Sequence, residues 1–190
     1  EIKEHTFKII NDVNELVLDD EVSFYLEVSD INYHNGEMIG LGISTKDNNY
    51  FVKKELINDA FKLLKTKKLI TYDLKKTLVS FDNSIKCDFD LMIASYLSNM
   101  EANEDIAKLM LTLDENIPSY EVIKKNNFTD LEEIVTKKSR FIYDYKNYFL
   151  DKLKETNQLD IFNNIEMPLT YVLANMETEG FKFNDNALEE

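Results

Sequence analysis

The sequence predicts an α/β fold in which a mixed sheet is laid down first and helices follow. Three observations carry this. Residues 21–52 hold three short runs rich in β-branched and aromatic residues, separated by turn-forming clusters. From Lys54 onward the apolar residues recur at three- and four-residue steps instead. The composition is that of a folded chain: 44% of the 190 residues are hydrophobic, 31% are charged, and Gly and Pro together number only six.

Each element follows from its local pattern. Glu21 to Val28 (EVSFYLEV) reads as a strand after an acidic turn, Glu37 to Thr45 as the second and Asn49 to Val52 as the third. His34-Asn35-Gly36 and Lys46-Asp47-Asn48 join them into an antiparallel meander. Leu56, Ile57, Ala60, Phe61, Leu63 and Leu64 then fit one helical face. Lys68–Tyr72 is expected as a fourth strand, Leu74–Phe81 as a helix and Ser84–Cys87 as a brief further strand. Asp90 is placed to cap a helix over Leu91–Leu97, Ser119 one over Tyr120–Asn126, and Thr129 a long one reaching Glu155, with another helix over Glu104–Leu113.

Near the end of the chain, Phe162, Ile165, Leu169, Val172, Leu173 and Met176 form an apolar helical stripe expected to be buried. Pro168 should kink that helix, and Gly180 should end it as a left-handed C′ residue. Phe181-Lys182-Phe183 would then run extended, with Asn184 or Asn186 capping a further helix.

Composition bounds the function classes. The length allows one sizeable core, and no uncharged apolar run approaches a membrane span. The acidic start EIKEHTFKIINDVNE is no signal peptide, and the single Cys87 forms no internal disulfide, which fits a cytoplasmic protein. A net charge of −14 opposes phosphate binding. That charge is uneven: residues 1–52 and 87–134 each carry 11 acids against 3 bases, while residues 53–86 carry 9 lysines against 4 acids. The Lys53–Lys86 run is either a DNA-facing patch or, more ordinarily, the solvated face of a helix and a loop.

The stretch from Ile165 to Phe183, IEMPLTYVLANMETEGFKF, combines I-E-x-P-L, an apolar stripe and E-x-x-G. It resembles the segment of bacterial DNA polymerase I that joins its 3′–5′ exonuclease-like domain to the polymerase thumb. FDLMIASYL (Phe89–Leu97) and YLEVSDINYHNGEMIGLGIS (Tyr25–Ser44) resemble the exonuclease helix and first hairpin of the same family. The resemblance implies a ribonuclease-H-like exonuclease fold over residues 1–157 and the start of the polymerase domain over residues 158–190. It implies a chain excised from a longer, monomeric enzyme that extends DNA using Mg²⁺. The polymerase domain of the same parent chain would then be its partner, and DNA would be reached through that parent.

Active members of that family hold two divalent metals with carboxylates from three motifs. The first is D-x-E on the first strand, a spacing that sends both side chains to one face. Here it falls on Leu26 and Val28 or, in a register shifted by one, on Tyr25 and Glu27. A Leu and a Val cannot ligate a hard cation, and the Asp is lost in either register. The second motif, N-x-x-x-D, reads Leu69 to Asp73, with the Asn lost. The third, Y-x-x-x-D, finds no match, because Tyr143, Tyr145 and Tyr148 are followed four residues later by Asn147, Phe149 and Lys152. The expectation is a decayed exonuclease site that holds no metal and no cofactor and serves as structural support.

Other candidates read as bland. Asp19 with Glu21 precedes an apolar strand, Asp130 with Glu132 lies in a helical first turn, and Glu177 with Glu179 sits at a helix end. His5 and His34 lack ligand spacing, Cys87 lacks a basic neighbour, and glycines 36, 40, 42 and 180 form no phosphate loop. The tyrosines at 143, 145 and 148 suit helix packing better than base stacking. Two rivals remain open. One is an active exonuclease built on other acids such as Asp19 and Glu21; the other is a DNA-binding module built on Lys53–Lys86.

Overall fold

In the computed structural model, residues 4–100 and 102–189 are described, with side chains as far as Gly180. Glu1–Lys3 and Glu190, the outer ends of the two expected parts, lie outside the described residues. The strands are β1 (Lys8–Ile10), β2 (Glu21–Val28), β3 (Met38–Ser44), β4 (Asn49–Lys53), β5 (Lys68–Thr71) and β6 (Phe89–Asp90). Among the described residues they form one sheet in the order β1-β4-β3-β2-β5-β6. The meander β2-β3-β4 is antiparallel, as the turn residues predict, while β1 on β4, β5 on β2 and β6 on β5 are parallel. The sheet is therefore mixed, with β2 interior.

Period-2 alternation divides β2 between two layers. Phe24 meets Phe61 of helix α1 (Ile57–Leu64) edge-on, with centroids 5.3 Å apart. On the opposite face, the Ser23 hydroxyl donates to the Ser139 carbonyl of the long helix α6 (Leu131–Glu155) at 2.6 Å. Helix α6 lies close on the sheet because β3 carries Gly42 beneath it. A Cβ there would meet the Val135 carbonyl oxygen at 2.7 Å.

The remaining helices are α2 (Leu74–Ser80), α3 (Leu91–Leu97), α4 (Ile106–Thr112), α5 (Tyr120–Lys125), α7 (Leu159–Ile161) and α8 (Met167–Glu189). Buried carboxylates organise their starts. Asp90 accepts from Met92 N at 2.9 Å as the cap of α3, as predicted, and also from Asp73 N and Leu74 N at the start of α2. Asp105 caps α4 through Ala107 N and reaches Tyr120 N at 2.8 Å. Ser119 does stand at the N-cap of α5, but its own side chain makes no capping bond. Thr129 does not cap α6 either. Its hydroxyl donates back to the Asn126 carbonyl, and Asp130, in a left-handed conformation, precedes the helix.

Several expectations are corrected. Strand β1 was not read from the sequence, being only three residues long. Ser84–Cys87 is not a strand, because the Asp82 carboxylate takes both Ser84 N and Ser84 Oγ and turns the chain; pairing starts at Phe89. Pro168 lies within a helical run unbroken from Leu159 to Glu189, so its missing N–H removes one helical hydrogen bond there. The irregularity sits just ahead of it as a π-turn over Phe162–Glu166, where Met167 N reaches the Phe162 carbonyl. Gly180 does not end α8, since no glycine has positive φ and the helix runs on through Phe181-Lys182-Phe183 to Glu189. Asn184 and Asn186 consequently lie within α8 and start no new helix. An interior glycine weakens a helix by only ~1 kcal/mol, which continued backbone hydrogen bonding tolerates.

The apolar stripe is also turned around. Phe162 is fully buried against Phe89, but Ile165, Leu169, Val172, Leu173 and Met176 are 40–62% exposed. Helix α8 docks by its neighbouring face instead, through Met167, Thr170 and Ala174. Small residues at 170 and 174 allow close approach, which the bulkier stripe would prevent.

Candidate functional site

The end of β5 delivers Asp73 to the face of the sheet covered by α6. Asp73 adopts a left-handed conformation (φ 65°), and its carboxylate accepts from Lys76 N at 3.2 Å, capping α2. It lines a small cavity of about 10 Å³ with Tyr25, Glu27, Val28, Lys76, Asp105, Tyr120 and Lys138. The geometry thus brings Tyr25, Glu27 and Val28 together with Asp73. Leu26 shares its face with Phe24 and is a core residue, 1% exposed. Val28 follows a register shift in the β2–β3 ladder and is also buried, its carbonyl accepting from the Tyr120 hydroxyl. Leu69 pairs with Val22 inside the core and does not line this cavity.

Two residues absent from the expected motifs complete the cluster. Lys138 Nζ lies 2.7 Å from Glu27 Oε2, with side chains 1% and 2% exposed. Lys76 Nζ stands 3.9 Å from the Tyr25 ring centroid, and Lys138 Nζ stands 4.9 Å from it. Sequence reading missed both lysines because it sought carboxylates. The available signal was a Lys at 138 within the otherwise apolar stripe of Ile134, Val135, Phe141 and Ile142.

Burial dominates the electrostatics. It lowers the Lys76 ammonium, with the Glu27 and Asp73 carboxylates pulling the other way. It raises the Asp73 carboxyl against the pull of Lys76, and it raises the Tyr25 phenol, which neighbouring carboxylates raise further. Asp90 is pushed up to about 7 by burial, opposed by the backbone N–H groups that it accepts.

As for metal chemistry, the cavity is lined by the carboxylates of Glu27, Asp30, Asp73, Glu104 and Asp105. Glu27 is paired with Lys138, however, and Asp30 with Lys124, while Asp105 accepts from Ala107 N and Tyr120 N. Lys76 and Lys138 do not suit a hard cation. Among the described residues, no group of three or more His, Cys, Asp or Glu is placed to hold a metal ion. The donor set does not fit a pair of divalent metals.

The other candidates lie elsewhere. Asp19 accepts from Lys46 N, and Glu21 pairs with Lys146 at the opposite end of β2 from Glu27, so neither joins the cavity. Asp130 and Glu132 flank the start of α6, away from Asp73. Glu177 pairs with Lys75, and Glu179 is exposed. His5 Nε2 lies 2.8 Å from Thr136 Oγ1, and the His34 and Tyr33 rings are 4.7 Å apart. Cys87 is buried against the Leu69 and Phe89 carbonyls, and burial raises its thiol pKa well above the usual value. Tyr145 stacks on Phe141 and Tyr143 lies under Arg140, while Tyr148 meets Phe149 edge-on. Within Lys53–Lys86, Lys54, Lys62, Lys65 and Lys75 each pair with an acid and Lys76 is buried.

Comparison with known proteins agrees with the fold. The family described as DNA polymerase I, ribonuclease H-like domain, matches residues 24–123. DNA polymerase I of Streptococcus pneumoniae is 32% identical over 97% of this chain, and that of Geobacillus stearothermophilus is 27% identical over 97%. The chain spans only 23% of the length of each. Among solved structures, Brucella melitensis NrnC superposes with a TM-score of 0.66 at 15% identity, covering 92% of this chain and 93% of that one. The POL domain of Pol1 from M. smegmatis, in complex with DNA primer-template and dNTP, gives 0.65 at 13% identity, covering 87% of this chain and 30% of that one. The mixed sheet with flanking helices is a ribonuclease-H-like exonuclease fold, and the chain belongs to the ribonuclease H-like domain family of DNA polymerase I.

Proposed function

We propose that this is a 3′–5′ exonuclease-like domain whose metal site has decayed, serving as structural support within a DNA polymerase I. The carrying observation is the buried Lys138–Glu27 pair beside Tyr25 and Lys76. The retained glutamate is already neutralised by an ammonium, and a second ammonium stands close by. A divalent ion ~4 Å from a single ammonium would meet about 8 kcal/mol of repulsion at an effective dielectric constant of ~20. Lysine therefore supplies the countercharge that metal supplies in an active exonuclease.

In this reading the parent enzyme extends primer–template DNA with deoxynucleoside triphosphates and Mg²⁺, using residues outside this chain. Its polymerase domain is the partner of this one. The apolar stripe of α8, exposed here, would be covered by that domain, and DNA would be engaged through the parent. The deciding assay is incubation of the domain with end-labelled single-stranded DNA and Mn²⁺. No shortening is expected. Digestion that Asp73→Ala abolishes would refute the proposal.

A further inference from the structure

The E-x-x-G motif, Glu177 to Gly180, has no role in the function proposed above, yet among the described side chains of α8 its glutamate bridges two separate segments of the domain. Glu177 Oε2 accepts from the Tyr33 hydroxyl at 2.7 Å, and Oε1 lies 3.0 Å from Lys75 Nζ. The two partners come from separate segments: Tyr33 from the β2–β3 connection, Lys75 from the first turn of α2, directly after Asp73. These contacts lower the Glu177 carboxyl pKa although burial opposes them, and they hold the Tyr33 phenol well above its usual value together with burial.

Helix α8 is tied to the domain along one face. The Tyr171 hydroxyl accepts from Cys87 N at 2.9 Å, Ala174 is buried, and Glu177 follows one turn later. Beyond it, Thr178 bonds only within the helix, to the Ala174 carbonyl, and Glu179 and Gly180 are exposed. Among the described side chains, Glu177 makes the last hydrogen bond and ion pair by which the domain grips α8. Glu177, Tyr33 and Lys75 also line a cavity of about 490 Å³ together with Asp73, Met92 and Glu104.

We propose that Glu177 is a positioning residue, a latch that fixes the direction in which α8 leaves the domain and holds it over the cavity beside Asp73. One carboxylate serves both strap and cleft. It joins the hairpin loop, the helix capped by Asp73 and the outgoing helix at a single point, so that releasing it frees the end of α8 beyond Ala174 without unfolding the sheet.

Hydrogen exchange on the full 190-residue chain tests this. Glu177→Gln should speed amide exchange over residues 172–180 by about three- to tenfold, the size of a lost charge-assisted contact, with β2 and β5 unchanged. Glu179→Gln should change nothing. The charge swap Glu177→Lys with Lys75→Glu should restore protection, whereas Glu177→Lys alone should not. Unchanged exchange in Glu177→Gln, equal acceleration throughout the chain, or a folded swap variant that stays fully deprotected would each overturn the latch.

Discussion

At position 138 a lysine sits where an apolar residue would continue the buried face of α6, and the ion pair with Glu27, beside the Tyr25 ring, makes that tolerable. Truncating one partner leaves the other charged and dry. Lys138→Met should therefore cost about 3–5 kcal/mol, and adding Glu27→Gln should return much of it. Urea denaturation of the two variants measures this; equal stability of Lys138→Met and the parent chain would mean that Glu27 finds solvent. Leu26 gives the complementary case. Leu26→Asp with Val28→Glu would drive two carboxylates into buried positions and should destabilise by several kcal/mol; under the proposed decay of the second and third motifs it should not bring digestion of DNA. Asp90 supplies a pH dependence. A carboxyl raised to about 7 in the fold contributes stability that is fully present below its unfolded value of ~4 and lost as pH rises through 7. Stability should thus fall from pH 5 to pH 8, with a carboxyl ¹³C midpoint near 7 for Asp90; a midpoint near 4 would contradict this.

At the scale of elements, α8 separates pattern from packing. Its stripe has the spacing of a buried face but is 40–62% exposed, so Leu173→Ala should cost this chain under ~1 kcal/mol, against the ~2–5 of a buried leucine. Phe162→Ala, in the fully buried π-turn residue, should cost about 3–5 kcal/mol. Thermal melts of the pair decide it. A loss at Leu173 equal to that at Phe162 would show the stripe to be covered. Helix α6 tells the opposite story, since its extent to Glu155 was legible while the face it turns to the sheet, with Val135, Ser139 and Ile142, was not read.

For the whole molecule, charge governs encounters with DNA. The net charge of −14 opposes binding, and in the 53–86 segment Lys54, Lys62, Lys65 and Lys75 pair with acids, leaving Lys53, Lys67, Lys68 and Lys86 as its basic surface. Single-stranded DNA should bind no better than ~10⁻⁴ M at physiological salt, the weak end of non-specific binding. Fluorescence anisotropy reads this directly. Micromolar affinity that falls steeply with salt, and weakens on charge reversal at Lys67 and Lys68, would favour the binding-module rival.

The sequence by itself determined the meander from Glu21 to Val52, the Asp90 cap, the helical second half and the family, because turns, caps and periodicity are written in neighbouring residues. It also left both strand registers open at positions 25–28. Only the tertiary structure shows that Tyr25, Glu27 and Val28 line one cavity with Asp73 while Leu26 lies in the core. Alternation says which side chains share a face, but which helix covers that face depends on contacts such as Glu27 with Lys138, 111 residues apart in the chain. The stripe of α8 was misplaced for the same reason: periodicity marks an apolar face, and the partner it meets is chosen by shape, where Thr170 and Ala174 let α8 approach α2 and the larger residues beside them do not.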